Sequence, residues 1–387
     1  ISSIVDANIT TVIVAVILFI FGQSSVKGFA TMLIINIIFT IVVMVFIYRL
    51  ILKLFIKTEY FNEKQALFIG INKKKIKKSK EVDIPFKKVN FIKIGKIYSL
   101  SILGVIIICG IITYFTKFNL GVDFTGGTSI TINKKVDLID DLNNLNYTIK
   151  DYSISEDNSN YIIDEVLEKN SIKELDTYIL DKYEVSSDIY VVSDVVKKDL
   201  VKNAIISLII SSIAIVVYIS FRFKFSYAIS GIIALLHDIV LTVLFFGIFK
   251  LEINSIFIAA ILTIIGYSIN DTIVTFDMIR ELYKNKEVRN EEDLELIVNN
   301  SIKRVFTRTI LTTITTIIPV ICLIVKGAIE IINFNIALLV GFIFGTLSSI
   351  FVSNYLWRLL EYKRITKPKK DDEDDEISEY KIKGINC

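Results

Sequence analysis

A chain of 387 residues that is 53% hydrophobic, with 3 prolines and a mean hydropathy of +0.58, is too apolar for an ordinary soluble protein. The formal net charge is only +3, and the cations gather in particular loops, which bears on membrane orientation and speaks against nucleic-acid binding. Cys109, Cys322 and Cys387 have neither a pairing pattern nor metal-ligand spacing, so disulfide, redox and zinc chemistry are not expected, nor is any cofactor.

The chain opens on Ile1 shortly before an apolar run, without Met or a signal peptide, and reads as a fragment of something longer. Residues 9–21 form the first apolar run, after Asp6-Ala7-Asn8-Ile9-Thr10-Thr11. A polar break at residues 22–30 introduces a second run that reaches Leu54. Residues 56–96 carry Lys73-Lys74-Lys75-Ile76-Lys77-Lys78 and too few apolar residues for a core, so they are expected to be a basic, lipid-facing cytoplasmic linker. The positive-inside rule then orients the remaining loops. A span near residues 98–115, within the segment 97–116, delivers the chain to a polar insert at 117–199.

Within the insert, strand-like runs (129–132, 147–154, 161–165, 189–195) alternate with helix-like ones (137–145, 172–183). The order β-α-β-β-α-β predicts a small extracytoplasmic, ferredoxin-like α+β domain. Gly126 and Gly127, closely following Gly121 and Asp123, read as the turn that links the span to the first strand. Five more spans are expected within 200–360, near residues 205–221, 227–249, 253–276, 305–325 and 331–356. The fold class is thus a polytopic α-helical membrane protein of about eight transmembrane helices. Residues 361–387, with the acidic run 371–376, read as a charged, solvated cytoplasmic tail.

Asp271 falls inside one of these spans. A carboxylate there costs several kcal/mol unless it is neutral, paired or beside water, which makes it a candidate functional group. The alternative is helix–helix polar glue shared with Asn270, Ser268 and Thr272. Asp277 and Arg280 sit at the span's end, as a solvated pair would. His237 and Asp238 lie mid-span and are read either as a core hydrogen-bonding pair or as part of a polar seam. Arg308 enters the next span at a compatible depth, and its permanent charge needs a counter-charge, for which Asp271 is the candidate. Protonation of Asp271 would break that pair and favour another packing.

Three stretches carry a family resemblance. GYSINDTIVTFDMIRE at residues 266–281, GVDFTGGT at 121–128 and RTILTT at 308–313 resemble motifs of the SecF family, the smaller half of the SecDF protein-export factor. The Asp6–Thr11 stretch and Lys27-Gly28-Phe29-Ala30 are similar to motifs of the closing helices of SecD. The resemblance implies a SecD-like helix pair at 1–55, a SecF-like first helix at 97–116 and a five-helix bundle at 200–360, with an RND/SecDF-like fold. It further implies a non-enzymatic accessory of the Sec translocase in the bacterial cytoplasmic membrane, driven by the proton or sodium motive force and acting late in polypeptide export. Implied partners are the rest of a SecD-like half, the SecYEG channel, a YajC-like small subunit, SecA indirectly, and exported unfolded polypeptides.

An internal repeat accompanies the resemblance: residues 6–11 can be laid on residues 308–313, and Phe29 onward on Phe334 onward. Asp6 and Arg308 would then be equivalents on opposite halves of a pseudo-two-fold. Two features depart from the family pattern. The large outer domain and first four spans of SecD are missing, and residues 192–198 lack the expected Gly and Pro.

Other classes fit less well. An RND-type exporter of small molecules or lipids would carry larger outer domains. An intramembrane aspartyl protease using Asp271 and Asp238 needs one raised carboxyl; Asn270 stands where Gly is expected, and Arg308 nearby acts in the wrong direction. A pure scaffold predicts that Asp271→Asn is silent.

Overall fold

The computed structural model describes residues 2–22, 24–57, 89–155, 158–284, 288, 290–326 and 331–366. The Lys73–Lys78 cluster, the 371–376 run and Cys387 lie outside them. Helices α1 (Ser2–Phe21) and α2 (Ser24–Val42) pack on each other through Ala15, Leu33 and Ile37. A π-helical turn, Val43–Ile47, leads into α3 (Tyr48–Lys57).

Helix α4 (Phe91–Thr116) starts well before the expected residue 98. Its start is set by local polar chemistry: Lys93 N donates to Asn90 Oδ1 at 3.1 Å and Phe91 N to Asn299 Oδ1 at 2.7 Å, which satisfies donors that a helix N-terminus leaves open. After a short helical turn, α5 (Val122–Thr125), come β1 (Gly127–Ile132), α6 (Ile139–Asn144), β2 (Ile149–Ile154), β3 (Ser159–Ile163), α7 (Lys169–Tyr183) and β4 (Ser187–Val192). The sheet is antiparallel in the order β2-β3-β1-β4, the ferredoxin-like arrangement expected. Ile130, Ile132, Tyr161 and Ile163 form its core with Leu142, Leu175 and Ile179 from the two helices.

The last strand stops at Val192 because Ser193 caps α8 (Asp194–Arg222), its Oγ accepting from Val196 N. Then follow α9 (Phe225–Phe249), α10 (Ser255–Lys284), α11 (Glu291–Val325), α12 (Ile332–Leu347), a second π-helical turn (Ser348–Val352) and α13 (Ser353–Thr366). Among the described residues six helical stretches are long and apolar enough to cross a membrane: α4, α8, α9, α10, α11 and the continuous Ile332–Thr366. Two shorter apolar stretches, Asn8–Phe21 and Val26–Val42, occupy the places of the first two expected spans.

Helix α10 is the axis of the bundle. Ala259 through Gly266 are all buried, against α1, α9, α11 and α12. The α10–α12 contact is close because Gly341 faces Ile264 and Gly345 faces Ser268, with no room for a methyl at Gly341. Small residues that let backbones approach are the usual means of helix association in lipid. Phe29 of α2 and Phe334 of α12, laid on each other in the expected repeat, lie 4.9 Å apart between ring centroids.

Candidate functional site

Asp271 lies about midway along α10 and is half-buried. Its backbone carbonyl accepts from Thr275 Oγ1 at 3.1 Å; among the described residues no side chain hydrogen-bonds its carboxylate. Its neighbour Asn270 is tied to α1: Thr10 Oγ1 donates to Asn270 Oδ1 at 3.0 Å and approaches Gly266 O at 3.3 Å. Gly266 lies beside the Thr11 backbone of α1. The polar residues of the first helix thus meet the motif on α10.

The expected Asp271–Arg308 ion pair is not closed. Arg308 is the charge that acts on Asp271, but it does so across a gap, because α11 turns Arg308 outward and Thr309 inward. Below it, hydroxyls of Thr312, Thr313, Thr315 and Thr316 return to carbonyls one turn back. Further along the same helix Pro319 removes an N–H from the ladder.

His237 and Asp238 form a separate cluster. Asp238 is fully buried; Oδ1 takes His237 Nδ1 at 2.9 Å, and Oδ2 takes Ser268 Oγ at 2.5 Å and Ser348 Oγ at 2.9 Å. A carboxylate only accepts, so His237 donates through Nδ1 and its Nε2 accepts from Tyr98 on α4, 3.4 Å away. Ser348 opens the π-helical turn after α12, and Phe351 of that turn packs on Tyr98. A π turn inside a span is a frequent mark of a functional position. Among the described residues Asp238 and Asp271 share no hydrogen bond, and the partners of Asp238 are His237, Ser268 and Ser348. Asp277 meets Arg280 at 2.9 Å and Arg222 at 3.5 Å at the helix end. Asp6 belongs to α1, but its side chain lies outside the described ones.

The glycine motif follows α4 and lies against the loop that leads into α10. Gly121, Val122 and Asp123 are buried, and the chain turns through Gly126 (φ 76°) and Gly127 (φ 112°) into β1. A methyl at Gly127 would strike Ile163 O of the paired strand. Asp123 Oδ2 accepts from Ser255 N, the first residue of α10, at 2.8 Å. Tyr190 faces the same carboxyl; burial and that charge push its phenol up to about 12. Thr10, Tyr98, Ser348 and the Asp123–Ser255 contact were not singled out as site features from sequence; the available signals were a tyrosine and paired serines within apolar spans.

Two family models match the segments that build this arrangement: "SecD/SecF GG Motif" over residues 111–133 and "Protein export membrane protein SecD/SecF, C-terminal" over residues 172–363. A SecF translocase subunit from Sebaldella termitidis is 36% identical over 281 residues, covering 69% of this chain and 89% of that protein. The chain belongs to the SecD/SecF family. The SecDF subunit of Bacillus subtilis is 40% identical over 380 residues, 95% of this chain but 51% of that protein, so the chain spans about half the length of the curated SecDF relative it matches. The crystal structure of SecDF from Thermus thermophilus, titled a translocon-associated membrane protein, superposes with a TM-score of 0.77 at 26% identity, covering 94% of this chain and 48% of that one. As a SecD/SecF family member the chain is a multi-pass protein of the cytoplasmic membrane.

Proposed function

We propose that this chain serves protein export as a non-enzymatic accessory of the Sec translocase, coupling the movement of protons or sodium ions through its membrane bundle to motion of the outer domain. The observation that carries the reading is Asp271, a half-buried carboxylate midway along α10 with no hydrogen-bonding side chain among the described residues and Arg308 acting on it across a gap. A fixed cation near a carboxylate that can gain or lose an ion gives two electrostatic states. A unit charge crossing 100 mV releases roughly 2.3 kcal/mol, and a few such steps bias a two-state element strongly. Asn270, held by Thr10, positions the neighbouring backbone. The His237–Asp238 cluster lines a second polar seam between α4, α9, α10 and the π-helical turn, and Asp6 is the repeat equivalent of Arg308.

The segment assignments follow the same reading. Residues 1–55 close a SecD-like half, 56–96 are the cytoplasmic linker, 97–116 the first SecF-like helix, 117–199 the extracytoplasmic domain, 200–360 the SecF-like bundle and 361–387 the cytoplasmic tail. Relatives are named translocase subunits, which supports SecYEG and emerging polypeptides as partners, with SecA and a YajC-like subunit further out.

Export of a secreted reporter is the test, in cells whose only SecDF function comes from the full chain, at matched expression. Asp271→Asn and Arg308→Met are each expected to lower export at least tenfold, roughly 1.4 kcal/mol or more in the coupled step. Full export by both would mean that these groups are helix–helix glue.

A further inference from the structure

Besides α8, where Leu200 packs on Val122, Ile162 and Val192 and Lys197 Nζ donates to Thr125 O at 3.0 Å, the outer domain is fastened to the bundle at the head of α10. Gly121 N donates to Ile253 O at 2.9 Å and Ile253 N to Asn119 O at 2.9 Å, a short parallel bridge between the domain's root and the α9–α10 loop. Asn119 Nδ2 reaches Lys250 O at 3.2 Å, and Lys250 Nζ closes on Thr116 O and Lys117 O at the end of α4. Asp123 then takes the first amide of α10, while Asn254 takes Phe257 N at 3.1 Å. The positive end of the helix is therefore held by a carboxylate from outside the bundle. The Glu252 carboxylate lies beside Gly121, where a Cβ would displace it.

From Ser255 to Asp271 is sixteen residues, about 24 Å of continuous helix. Axial movement or tilt of α10 at Asp271 is delivered to the root of the outer domain through this rigid rod.

We propose that the contact among Asp123, Glu252 and the first amide of α10 is the latch that couples α10 to the outer domain, with Asp123 as its positioning residue and Glu252 as the group that sets how tightly it holds. Two carboxylates share this small buried corner. The cations nearest in the sequence and on the adjoining strand are engaged elsewhere: Lys250 on the α4 carbonyls, Lys150 on Gly126 O and Asp164. Tyr190 of β4 faces Asp123, and Asp151 of β2 and Asn254 act on Glu252. A cavity of about 500 Å³, lined in part by Asn119, Leu120, Lys150, Asp151 and Lys250, lies at the root of the domain.

Burial, and next the charge of Asp123, raise the Glu252 carboxyl above its ordinary value. A carboxyl raised by its folded surroundings opposes them when charged, so the latch is tightest at low pH and loosens as pH rises through that raised value. On the outward-facing, proton-rich side this means that acid tightens the joint.

The role in export rests on the ion-coupling reading above; the latch itself does not. The full chain in lipid nanodiscs is followed by hydrogen exchange over residues 117–125 and 250–258 at about pH 4 and about pH 8, corrected for intrinsic amide chemistry. Wild type is expected to be at least about threefold better protected in acid, and Glu252→Gln equally protected at both pH values. Asp123→Ala is expected to lose protection in both segments while residues 159–163 stay protected. Asp123→Asn, which keeps the acceptor but not the charge, should retain protection and shrink the pH effect. A Glu252→Gln variant with wild-type pH dependence, or an Asp123→Ala variant with unchanged protection, overturns the latch. Silence of Asp271→Asn in export removes the ion coupling and leaves these exchange results standing.

Discussion

The two adjacent glycines of the outer motif do different work. Gly126 has φ 76° and open space bounded by Lys197, whereas Gly127 has φ 112° and lies hard against Ile163 O. A side chain at Gly127 needs both a strained backbone and a displaced strand, a cost of about 1–3 kcal/mol for the backbone alone. Gly104, on the open side of α4, meets nothing within 4 Å. Gly127→Ala is therefore expected to lower the thermal midpoint and protease resistance of the purified chain, and Gly104→Ala to stay within about 0.5 kcal/mol of wild type. Equal effects of the two would show that the tight approach at β3 is not what selects glycine.

Within the bundle, α10 and α12 are held together by shape as much as by polarity. Gly341 admits Ile264, and Gly345 admits Ser268 so that its hydroxyl reaches Asp238. Gly341→Val must push the helices apart, with an overpacking cost of about 1–3 kcal/mol. It should also lengthen the Ser268–Asp238 bond one turn away. Thermal unfolding in detergent measures the first effect; a midpoint equal to wild type would contradict the packing. The π-helical turn at Ser348–Val352 belongs to the same contact: Asn354 Nδ2 returns to Ser349 O and Ile350 O, supplying partners to carbonyls that a wide turn leaves without regular ones.

For the whole molecule, contacts between helices far apart in the chain tie its start to its end. Phe29 of α2 and Phe334 of α12 meet edge to face, and an aromatic pair of this kind contributes about 0.5–1.5 kcal/mol beyond its buried area. A double-mutant cycle on Phe29→Ala and Phe334→Ala, read by thermal unfolding of the full chain, is expected to show coupling in that range. Strict additivity would mean that the two rings contribute independently. The outer domain adds a second long-range link, joining the head of α10 to the sheet through Asp123, so both ends of the helix that carries Asp271 are referenced to something outside it.

Much of this could be read directly from residues. Long apolar runs announced the spans because a bilayer demands about twenty apolar residues in a row. Alternation and turn residues announced the ferredoxin-like domain, and an ionisable group inside a span drew attention to Asp271 and to His237–Asp238. These are local properties, fixed by composition and period. What the sequence did not contain was which groups meet. Thr10 and Asn270 are 260 residues apart, Asp238 and Ser348 110, and Asp123 and Ser255 132. The outward turn of Arg308, which leaves its pair with Asp271 open, depends on how α11 is rotated against α12. Helix starts were also misplaced where a side chain from a distant helix, such as Asn299 at Phe91, supplied the cap. Hydrophobicity and period are carried by each segment alone, whereas caps, polar clusters and the joint at the head of α10 exist only once separate segments are packed together, and only the tertiary structure decides them.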